Sequence, residues 1–504
     1  MRGWTTLDSA GLTRTTRGVS ACLLLLLAAG CAVNPVSGRP ELILVSEARE
    51  RELGEAEAKR VAADMGLVED PALTAYVRAV GDRLARFSPR SEVPYTFAIV
   101  EMEEPNAFAL PGGYVYVSRG LLVLTNSEDE LAGVLGHEIA HIAAKHAVRR
   151  VSRAAPLAVI TGLGAFATGI VSPALGNVVG RLGGAAGALL LAPYSREQEH
   201  EADVVGQDMV AHAGWDPTGL SRSLRTLERD EAAHRDKPRA VDFFATHPPL
   251  PRRVADTEAH AKDLERGAAA PIAGGRGEFL RKLGGLVVGP RAAGGVFDGA
   301  TFLHPDLDFH VRFPSGWKTA NARAMVGASA PNDRAAVGVE MEGDGDDPEA
   351  SLRALEQKSG VPLSSGAERR IVNGLQAIHT TAQARTRDGR VALDLTWIAH
   401  GGHLYRITGA TAPADAEAMR PSFRATADSF GPLSAGERSS IQELRLDVVA
   451  ARSGEGLQQL LARTSSTWTA ETASIANGIE PTATLHAGDP IKVAVKHTYP
   501  ARSR

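Results

Sequence analysis

Two histidines and a glutamate stand at a spacing that suits a metal ion. The sequence contains the motif H-E-x-x-H, formed by His137, Glu138 and His141. Residues four apart share one face of a helix, so both imidazoles can reach one ion while Glu138 lies beside it. Zinc suits this set, because imidazole nitrogen is a good zinc ligand and a catalytic site has three protein ligands and one open position. The motif predicts one Zn²⁺ ion with a carboxylate placed to act as a base.

The residues around the motif predict a buried helix. Apolar residues flank the histidines at helical spacing, and residues 126–150 form one helical pattern with Ser127 as its N-cap. Glu130, three residues after Ser127, completes the pattern of a capping box. Two histidines and a glutamate on a buried helix cost free energy unless a charged group pairs with them. The context therefore favours a metal site.

A second helical pattern offers further ligands. The segment that begins at Ser195 contains Glu197, Glu199, Glu201 and Asp203. The chemistry of a carboxylate does not by itself choose among the three glutamates. Glu197 and Glu201 lie two residues on either side of Glu199, so they point away from the helix face on which Glu199 lies. One of these carboxylates is expected to complete the ligand set.

At this point the sequence resembles a known peptidase family. An E-x-x-x-D pair downstream of H-E-x-x-H, in the context S-R-x-x-E-x-x-A-D, is similar to the gluzincin peptidases that include HtpX, the CAAX prenyl proteases and the BepA-type periplasmic lipoproteins (peptidase family M48). The resemblance covers about residues 33–262. It implies that Glu199 is the third zinc ligand and that Asp203 orients a ligand histidine from outside the ligand set.

The family also has an edge strand beside the active site. Here the corresponding residues are Tyr114, Val115 and Tyr116, which follow a Pro-Gly-Gly turn at residues 111–113. The resemblance implies that an extended substrate adds to this edge by backbone hydrogen bonds, which would give broad sequence tolerance. A half-buried strand without this role accounts for the same alternation.

His247, in a Thr-His-Pro run at residues 246–248, has three interpretations. In the family context it acts catalytically by donating to the oxyanion of the transition state, or it occupies the open zinc position and holds the enzyme latent. A turn histidine with a packing role is an equal alternative. The remaining polar neighbours are expected outside the ligand set: His146 as an outer hydrogen-bonding residue, and Glu197, His200 and Glu201 in solvent.

Together these residues predict a zinc metalloendopeptidase in which Glu138 takes the proton of the attacking water. The resemblance implies that the substrates are misfolded or unassembled envelope proteins. The alternative is a non-catalytic or latent quality-control or assembly lipoprotein that binds client proteins or peptidoglycan. A net charge of −4 leaves no basic footprint, so nucleic acid is not an expected partner.

The N-terminus predicts export and lipid attachment. A basic flank precedes an uncharged apolar run over residues 19–30 that is too short to cross a membrane as a helix, which is typical of a secretory signal peptide. The run from Leu27 to Cys31 resembles a bacterial lipobox, which implies that Cys31 is acylated; an ordinary signal peptide is the alternative. By family analogy, Ala32 favours the outer membrane, facing the periplasm. Cys22, in the leader, is the other cysteine, so the mature chain forms no internal disulfide.

Composition and periodicity divide the 504 residues into a multidomain α+β chain. We expect a signal peptide over 1–30, a lipid-anchored tether over 31–40, and a mainly helical, zincin-type metalloprotease domain with a small sheet over 41–265. An apolar stretch ending at residue 191 is expected to form two short helices over the substrate groove. A Gly/Ala-rich linker is expected over 266–299.

The C-terminal part predicts two further domains. Residues 300–433 alternate between short strands and helical stretches, which predicts an α+β sandwich, and a PSGW turn at residues 314–317 resembles PsbP-like domains. Residues 444–500 read as strand, helix, helix, strand. Their G-E-G-L and A-N-G-I runs resemble a degenerate LysM module, a family that binds peptidoglycan-type glycans. A structural C-terminal cap is an equal alternative.

Overall fold

The computed structural model describes residues 31–152, 192–235, 243–248, 252–322, 325–386 and 389–500. The signal peptide and the apolar stretch predicted to cover the substrate groove lie outside these ranges. Clustering of contacts divides the chain into a first unit, which runs to Val288 and includes Leu446–Val495, and a second unit, which contains Gly289–Arg445 and the residues after Val495. The expected multidomain α+β architecture, with a helical N-terminal region and several sheets, is confirmed.

Up to Val288, the first unit contains a two-stranded ribbon, a three-stranded sheet and several helices. Its strands are β1 (Cys31–Val33), β2 (Pro40–Leu42), β3 (Thr96–Val100), β4 (Ala107–Leu110) and β5 (Tyr114–Ser118). Its helices are α1 (Glu47–Asp64), α2 (Pro71–Ala85), α3 (Arg119–Leu124), α4 (Glu128–Ala143), α5 (Arg196–His212), α6 (Gly219–Ala233), α7 (Phe243–Thr246), α8 (Arg253–Lys262) and α9 (Arg276–Leu283). None of the helices in the described ranges combines the length and hydrophobicity that a membrane crossing needs.

The three-stranded sheet corrects the predicted substrate strand. β5, which holds Tyr114, Val115 and Tyr116, pairs in parallel with β3 and antiparallel with β4. It is therefore the middle strand, and its backbone is used on both sides. The prediction that Tyr114–Ser118 is an edge strand is wrong, because alternation of side chains does not reveal which strands pair. The edge strand that packs against α4 is β4.

Helix α4 carries the H-E-x-x-H motif through the centre of the first unit. The Ser127 hydroxyl accepts the Glu130 amide at 3.2 Å, as an N-cap does, but the Glu130 carboxylate accepts the amide of Asn126 rather than that of Ser127. The predicted capping box is therefore displaced by one residue. The helix ends at Ala143, because Lys145 adopts a left-handed φ of 55°, and residues 146–152 are helical again after this break. All residues from Leu131 to Ala143 are buried.

The segment predicted as a linker contains part of the first unit's core. α9 buries Phe279, Leu280 and Leu283 among the side chains of α2 and its neighbours, where the ring centroid of Phe279 lies 6.2 Å from that of Tyr76. The linker prediction therefore differs from the structure over residues 276–283. The Gly/Ala-rich composition obscured three large apolar residues at helical spacing.

The second unit is built from two antiparallel sheets and flanking helices. The larger sheet has the order β12 (Glu368–Val372), β13 (Leu375–Thr386), β14 (Gly389–His400), β15 (His403–Thr411), β11 (Ala335–Asp344), β10 (Met325–Ser329) and β9 (Lys318–Ala322). The smaller sheet has the order β16 (Gly431–Pro432), β8 (Phe309–Arg312), β7 (Thr301–His304) and β6 (Val296–Asp298). The helices are α10 (Pro348–Ser359), α11 (Ala416–Asp428) and α12 (Ala435–Ser440).

The larger sheet of the second unit is covered on both faces. On one face, Leu352 of α10 packs with Ile378 and Trp397. On the other, Tyr405 packs with Phe309 of the smaller sheet and Phe423 of α11. Successive residues of β14 point to opposite faces, so both sides of the strand are apolar. The layered arrangement agrees with the α+β sandwich expected for residues 300–433.

The chain ends in β17 (Gln442–Ala450), α13 (Leu457–Arg463), α14 (Ala470–Asn477) and β18 (Pro490–Thr498). The predicted order of strand, helix, helix and strand is confirmed. We call residues 446–495 the C-terminal module; it clusters with the first unit. Its Lys492 side chain is fully buried and donates to the carbonyls of Val123 and Thr125 at 2.7 and 2.8 Å, just before α4 begins. A charged side chain thus joins the module to the start of the motif-bearing helix.

Candidate metal centre

Helices α4 and α5 approach each other closely at two glycines. A Cβ added at Gly136 would lie 2.9 Å from the carbonyl oxygen of Gly206, and one added at Gly206 would lie 2.8 Å from the amide nitrogen of His137. Any larger residue would force the helices apart. Glu199 lies seven residues before Gly206, two turns along the same face of α5. The close approach therefore brings Glu199 level with the histidines of α4.

Three of the predicted ligands converge. Nε2 of His137 lies 3.0 Å from Nε2 of His141 and 3.7 Å from Oε2 of Glu199, while Nε2 of His141 lies 3.5 Å from Oε1 of Glu199. Atoms bound to one tetrahedral ion at usual zinc distances are about 3.3 Å apart. The measured separations are close to that value, so one ion could contact all three residues.

His247 joins the same cluster. Its Nδ1 lies 3.2 Å from Nε2 of His137 and 3.0 Å from Oε1 of Glu199. Its ring is fully buried and stacks on Phe243, with ring centroids 4.5 Å apart. His137, His141, Glu199 and His247 thus form a group of four donors whose ligand atoms all lie within 4.8 Å of one another.

The protonation pattern fits a metal ion. Nδ1 of His137 lies 2.9 Å from Oδ1 of Asp203, so this nitrogen carries the proton and Nε2 presents a lone pair to the cluster. Both carboxylate oxygens of Glu138 are buried and accept no hydrogen bond from the described residues. Unpaired buried carboxylate oxygens are costly, and a cation offsets that cost.

The charge balance also fits a divalent cation. Glu138, Glu199 and Asp203 bring three carboxylates into the buried cluster. Arg253 is the guanidinium that meets them, with Nη1 2.8 Å from Glu199 and Nη2 2.8 Å from Asp203. A doubly charged ion would balance the remaining negative charge. The donor set and its charge are therefore compatible with a bound metal.

Arg253 is a site residue that the sequence analysis missed. It begins α8, is nearly completely buried and contacts both oxygens of Asp203, with Nε 2.8 Å from Oδ2. The bidentate contact fixes the carboxylate that orients His137. The signal for it was its position six residues after His247, in a short Pro-rich run, but no spacing rule ties such an arginine to a motif more than 100 residues away.

Outer contacts hold His141. Its ring stacks on Tyr194, with centroids 3.8 Å apart, and its Nδ1 lies 2.7 Å from Nδ1 of His146. His146 in turn contacts Glu201 at 2.9 Å. The expectation of His146 as a hydrogen-bonding residue is confirmed, whereas the expectation that Glu201 is solvated is wrong. Glu201 is partly buried because His146 and Arg149, which follow α4 in the sequence, both contact its carboxylate.

Glu197 and His200 are exposed on α5, as expected from their positions either side of Glu199. Tyr194, which the sequence analysis also missed, directly precedes the Ser195 N-cap of α5. Its amide donates to the carbonyl of Thr246 at 3.0 Å. This bond ties the segment that holds His247 to the start of the helix that holds Glu199.

Burial and neighbouring charges shift the pKa values of Glu138 and Asp203 in opposite directions. Burial raises the pKa of Glu138, although His247 and His137 oppose the shift. For Asp203, burial also acts to raise the pKa, but the charge of Arg253 and the hydrogen bond from His137 outweigh it and lower the pKa. Two carboxyl groups in one cluster with pKa values moved apart are typical of a divided role, in which one is a fixed anion and the other exchanges protons.

Glu138 lies where a base would be needed. It follows His137 on α4, is fully buried, and its Oε1 is 3.4 Å from Nε2 of His247. No described residue donates a hydrogen bond to it, so both of its oxygens remain available to a small molecule. This position beside the donor atoms, without being one of them, is the arrangement that the motif predicted.

Comparison with known sequences finds similar proteins for the part of the chain that contains the metal centre. Residues 71–261 match the model of Peptidase family M48. The beta-barrel assembly-enhancing protease of Escherichia coli (strain K12) is 29% identical over 225 residues, which are 44% of this chain and 45% of that protein. The mitochondrial metalloendopeptidase OMA1 of Schizosaccharomyces pombe is 32% identical over 228 residues, 44% of this chain and 64% of that one.

The similarity is confined to part of the molecule. The chain spans a little under half the length of the assembly-enhancing proteases that it matches. Among solved structures, the cyanobacterial PsbP of Synechocystis sp. PCC 6803 aligns with 27% of this chain and 95% of its own, at 13% identity and a TM-score of 0.23. That score supports no assignment. What the comparisons show is that the segment containing all four donor residues is similar to peptidase family M48.

Proposed function

We propose that this protein is a zinc metalloendopeptidase. One observation carries the proposal: donor atoms of His137, His141 and Glu199 converge in a buried cluster with Glu138 unpaired beside them. The similarity of residues 71–261 to peptidase family M48 and to two named proteases supports it. Imidazole and carboxylate ligands together favour zinc among the metals that peptidases use.

The three proposed ligands would hold the ion, and Glu138 would act on the water. When bound, zinc supplies a Lewis acid that polarises the scissile carbonyl and lowers the pKa of a water molecule. Glu138 takes the water proton and passes it to the leaving nitrogen, a role that suits a buried carboxylate whose pKa is raised. Asp203, fixed by Arg253, holds His137 in the tautomer that presents Nε2.

An extended polypeptide is the proposed substrate, and β4 is the proposed docking edge. β4 (Ala107–Leu110) pairs with β5 on one side only, and Leu110 lies near His141 in a shared small cavity. Backbone pairing along such an edge would tolerate many sequences. The name of the bacterial relative, a beta-barrel assembly-enhancing protease, supports misfolded or unassembled envelope proteins as the substrate class.

The same proposal includes the location of the protein. The signal-peptide pattern and the resemblance of Leu27 to Cys31 to a lipobox support a bacterial envelope lipoprotein anchored through Cys31 in the outer membrane and facing the periplasm. We propose a PsbP-like fold for residues 300–433 and a LysM-like fold for 444–500, with peptidoglycan as a candidate partner of the latter. The layered sheets and the strand, helix, helix, strand order support these assignments.

A latent state is the second candidate, and the position of His247 favours it. Nδ1 of His247 lies as close to His137 and Glu199 as those ligands lie to each other, so it would fill the vertex that a catalytic site leaves open. We propose that this conformation is inhibited and that His247 leaves the cluster before substrate binds. The inhibitory and the catalytic interpretations of His247 then correspond to two positions of its side chain. In one position it fills the open vertex, and in the other it donates to the oxyanion.

The Glu138→Gln variant tests the proposed activity. We expect it to keep zinc and its fold but to lose casein hydrolysis by about 10²–10⁴-fold, the usual contribution of a general base. Glu197→Gln, an exposed glutamate on α5, is the matched control and should cleave at the parent rate. Metal content by elemental analysis and cleavage by gel densitometry are the measurements. Cleavage by Glu138→Gln at the parent rate would exclude Glu138 as the base.

The latent alternative has a separate outcome. His247→Ala is expected to raise cleavage above that of the parent if His247 mainly blocks the open vertex, and to lower it if His247 mainly stabilises the oxyanion. Bound zinc without hydrolysis in the parent and in His247→Ala would support a binding lipoprotein in place of an enzyme.

A further inference from the structure

An open cavity whose lining includes four arginines lies at the N-terminal end of α4. Its volume is about 460 Å³. Arg222, Arg225 and Arg229 of α6 and Arg276 of α9 face into it, and the C-terminal end of α14 closes it. All of these residues belong to the first unit. The cavity shares no residue with the metal cluster, so the proposed peptidase mechanism does not account for it.

The three arginines of α6 form a basic stripe. Spacings of three and four residues place Arg222, Arg225 and Arg229 on one helix face. Like charges at this spacing repel one another and destabilise a helix unless neighbouring charges offset them. The neighbours of each guanidinium group therefore decide between two cases. Either protein carboxylates neutralise the stripe, or it keeps positive charge that could bind an anion.

Two of the four arginines form an ion pair with a carboxylate of the described residues, and two do not. Arg222 lies 3.0 Å from Asp216, and Arg225 pairs with Glu258 at the surface. Arg229 instead donates to the carbonyl of Ile479 at 3.0 Å and to the Ser474 hydroxyl at 3.3 Å.

Arg276 likewise contacts neutral groups, with Nη2 3.4 Å from the carbonyl oxygen of Asn477 and 3.5 Å from Oδ1 of Asn126. In the described part of the chain, neither Arg229 nor Arg276 has a carboxylate within ion-pair distance. Glu130, the acidic residue in the lining, accepts the Asn126 amide at 2.7 Å and lies 3.8 Å from Nε of Arg222. The lining therefore combines four guanidinium groups with one carboxylate.

We propose that this cavity binds a small oxyanion ligand with two or more carboxylate or phosphate groups. Guanidinium groups bind both kinds of oxyanion through paired, charge-assisted hydrogen bonds, and several of them around one cavity select for multiple negative charges. A volume near 460 Å³ lies within the range of small-molecule sites, about 300–1,000 Å³. The ligand would place negative charge beside Arg229 and Arg276, for which the described structure shows hydrogen bonds to neutral groups and no carboxylate within ion-pair distance.

Binding would connect the C-terminal module to the metal-bearing helix. The lining includes Asn477 and Gly478 of the module, Asn126 and Glu130 at the start of α4, and the stripe of α6. Helix α6 also packs directly on α4. A multiply charged anion in the cavity would draw these three elements together and stabilise their docking, because ligand that binds only the native state stabilises it.

Calorimetric titration of the full chain tests the proposal. The probes are sodium pyrophosphate and sodium citrate, each against sodium chloride at matched ionic strength. We expect one binding site per chain for at least one probe, and at least about tenfold weaker binding in the Arg229→Gln/Arg276→Gln variant. Binding of pyrophosphate alone would identify a phosphate ligand, and binding of citrate alone a carboxylate ligand.

Control variants keep the result interpretable. Arg49→Gln, an exposed arginine of α1 paired with Glu52, should bind like the parent. Because Arg276 also contacts the module, Arg225→Gln provides a surface substitution that should weaken binding while the thermal midpoint without ligand stays unchanged. Equal binding by the parent and by both cavity variants would overturn the proposal, as would the absence of binding above the chloride control. Metal content should not change in any of these variants, so the result is separate from the peptidase proposal.

Discussion

The two ends of α4 both bury charged side chains, but they satisfy them differently. At the first turn, Glu130 accepts the Asn126 amide, and Lys492 beside it donates to two carbonyls. Two turns later, both oxygens of Glu138 lack a hydrogen-bond donor in the described structure. Burial is equally deep at both ends. A fold tolerates buried charge for stability when partners are built in, and an unpaired buried charge indicates a site for something that binds.

The difference teaches how to separate structural from functional polar groups within a single helix. Polarity and burial alone would flag Lys492 and Glu138 alike. The presence or absence of a hydrogen-bond partner in the described structure distinguishes them: Lys492 donates to two carbonyls, whereas the oxygens of Glu138 accept no hydrogen bond.

The largest effect is expected for loss of a ligand. His141→Ala removes one of three proposed zinc donors, so we expect metal content to fall to a small fraction of one ion per chain and casein cleavage to disappear. Lys492→Met, at the other end, should leave the metal content unchanged. Elemental analysis after dialysis measures both. A His141→Ala protein that retains a full complement of zinc would show that the ion is bound elsewhere.

Arg253→Lys should give the next largest effect. Lysine keeps the charge but cannot contact Asp203 and Glu199 at once, so His137 loses its fixed orientation. We expect metal affinity to weaken by about 10–100-fold, as is usual for residues that orient a ligand. Competition with a zinc-sensitive dye measures the affinity, and Arg252→Lys, its exposed neighbour, is the control. Unchanged affinity would mean that Asp203 alone holds His137.

Neutralising the two glutamates should have opposite effects on the metal-free protein. Glu130→Gln removes the negative charge that faces Arg222 and replaces one carboxylate oxygen by an NH2 group, so it is expected to destabilise by about 1–3 kcal/mol. Glu138→Gln removes an unpaired buried charge and is expected to stabilise by a similar amount or less, about 1 kcal/mol. Urea unfolding in the presence of a chelator measures both. If both substitutions destabilise equally, the contrast between the two ends is wrong.

The smallest expected effect is a pH dependence of the difference in free energy of unfolding between the parent and Glu138→Gln. Burial raises the pKa of Glu138 above its ordinary value of 4.5. The native state then holds a proton that the unfolded state has released, so the contribution of Glu138 to stability falls as the pH rises above 4.5. In chelator, the free energy of unfolding of the parent should decline relative to Glu138→Gln between the ordinary and the raised pKa. Parallel pH profiles for the two proteins would contradict a raised pKa.

Much of the candidate site could be predicted from the chain itself. The spacing of His137 and His141 fixes both on one helix face, and the resemblance selected Glu199 and Asp203 before their positions were known. The secondary structure of the C-terminal module followed from its alternation and turn residues. These are local patterns, in which the physics acts over a few neighbouring residues.

The predictions that were wrong or missing concern contacts between segments that lie far apart in the sequence. Side-chain alternation correctly predicted β5 as a strand, but the edge position that the resemblance implied for it is wrong. Glu201, predicted to be solvated, is partly buried by contacts with His146 and Arg149. Arg253 carried no local pattern at all. In each case the decisive neighbour lies far along the chain, where spacing has no predictive force.

Helical periodicity alone places two imidazoles and a carboxylate together on one helix, because it leaves no other arrangement for H-E-x-x-H. Folding of the whole chain is needed to bring Glu199 and His247 to that face, to fix Asp203 through Arg253, and to place Lys492 of the C-terminal module beside the start of the same helix. The physical reason is that these contacts join separate segments, and their geometry depends on the packing of backbones, as at Gly136 and Gly206.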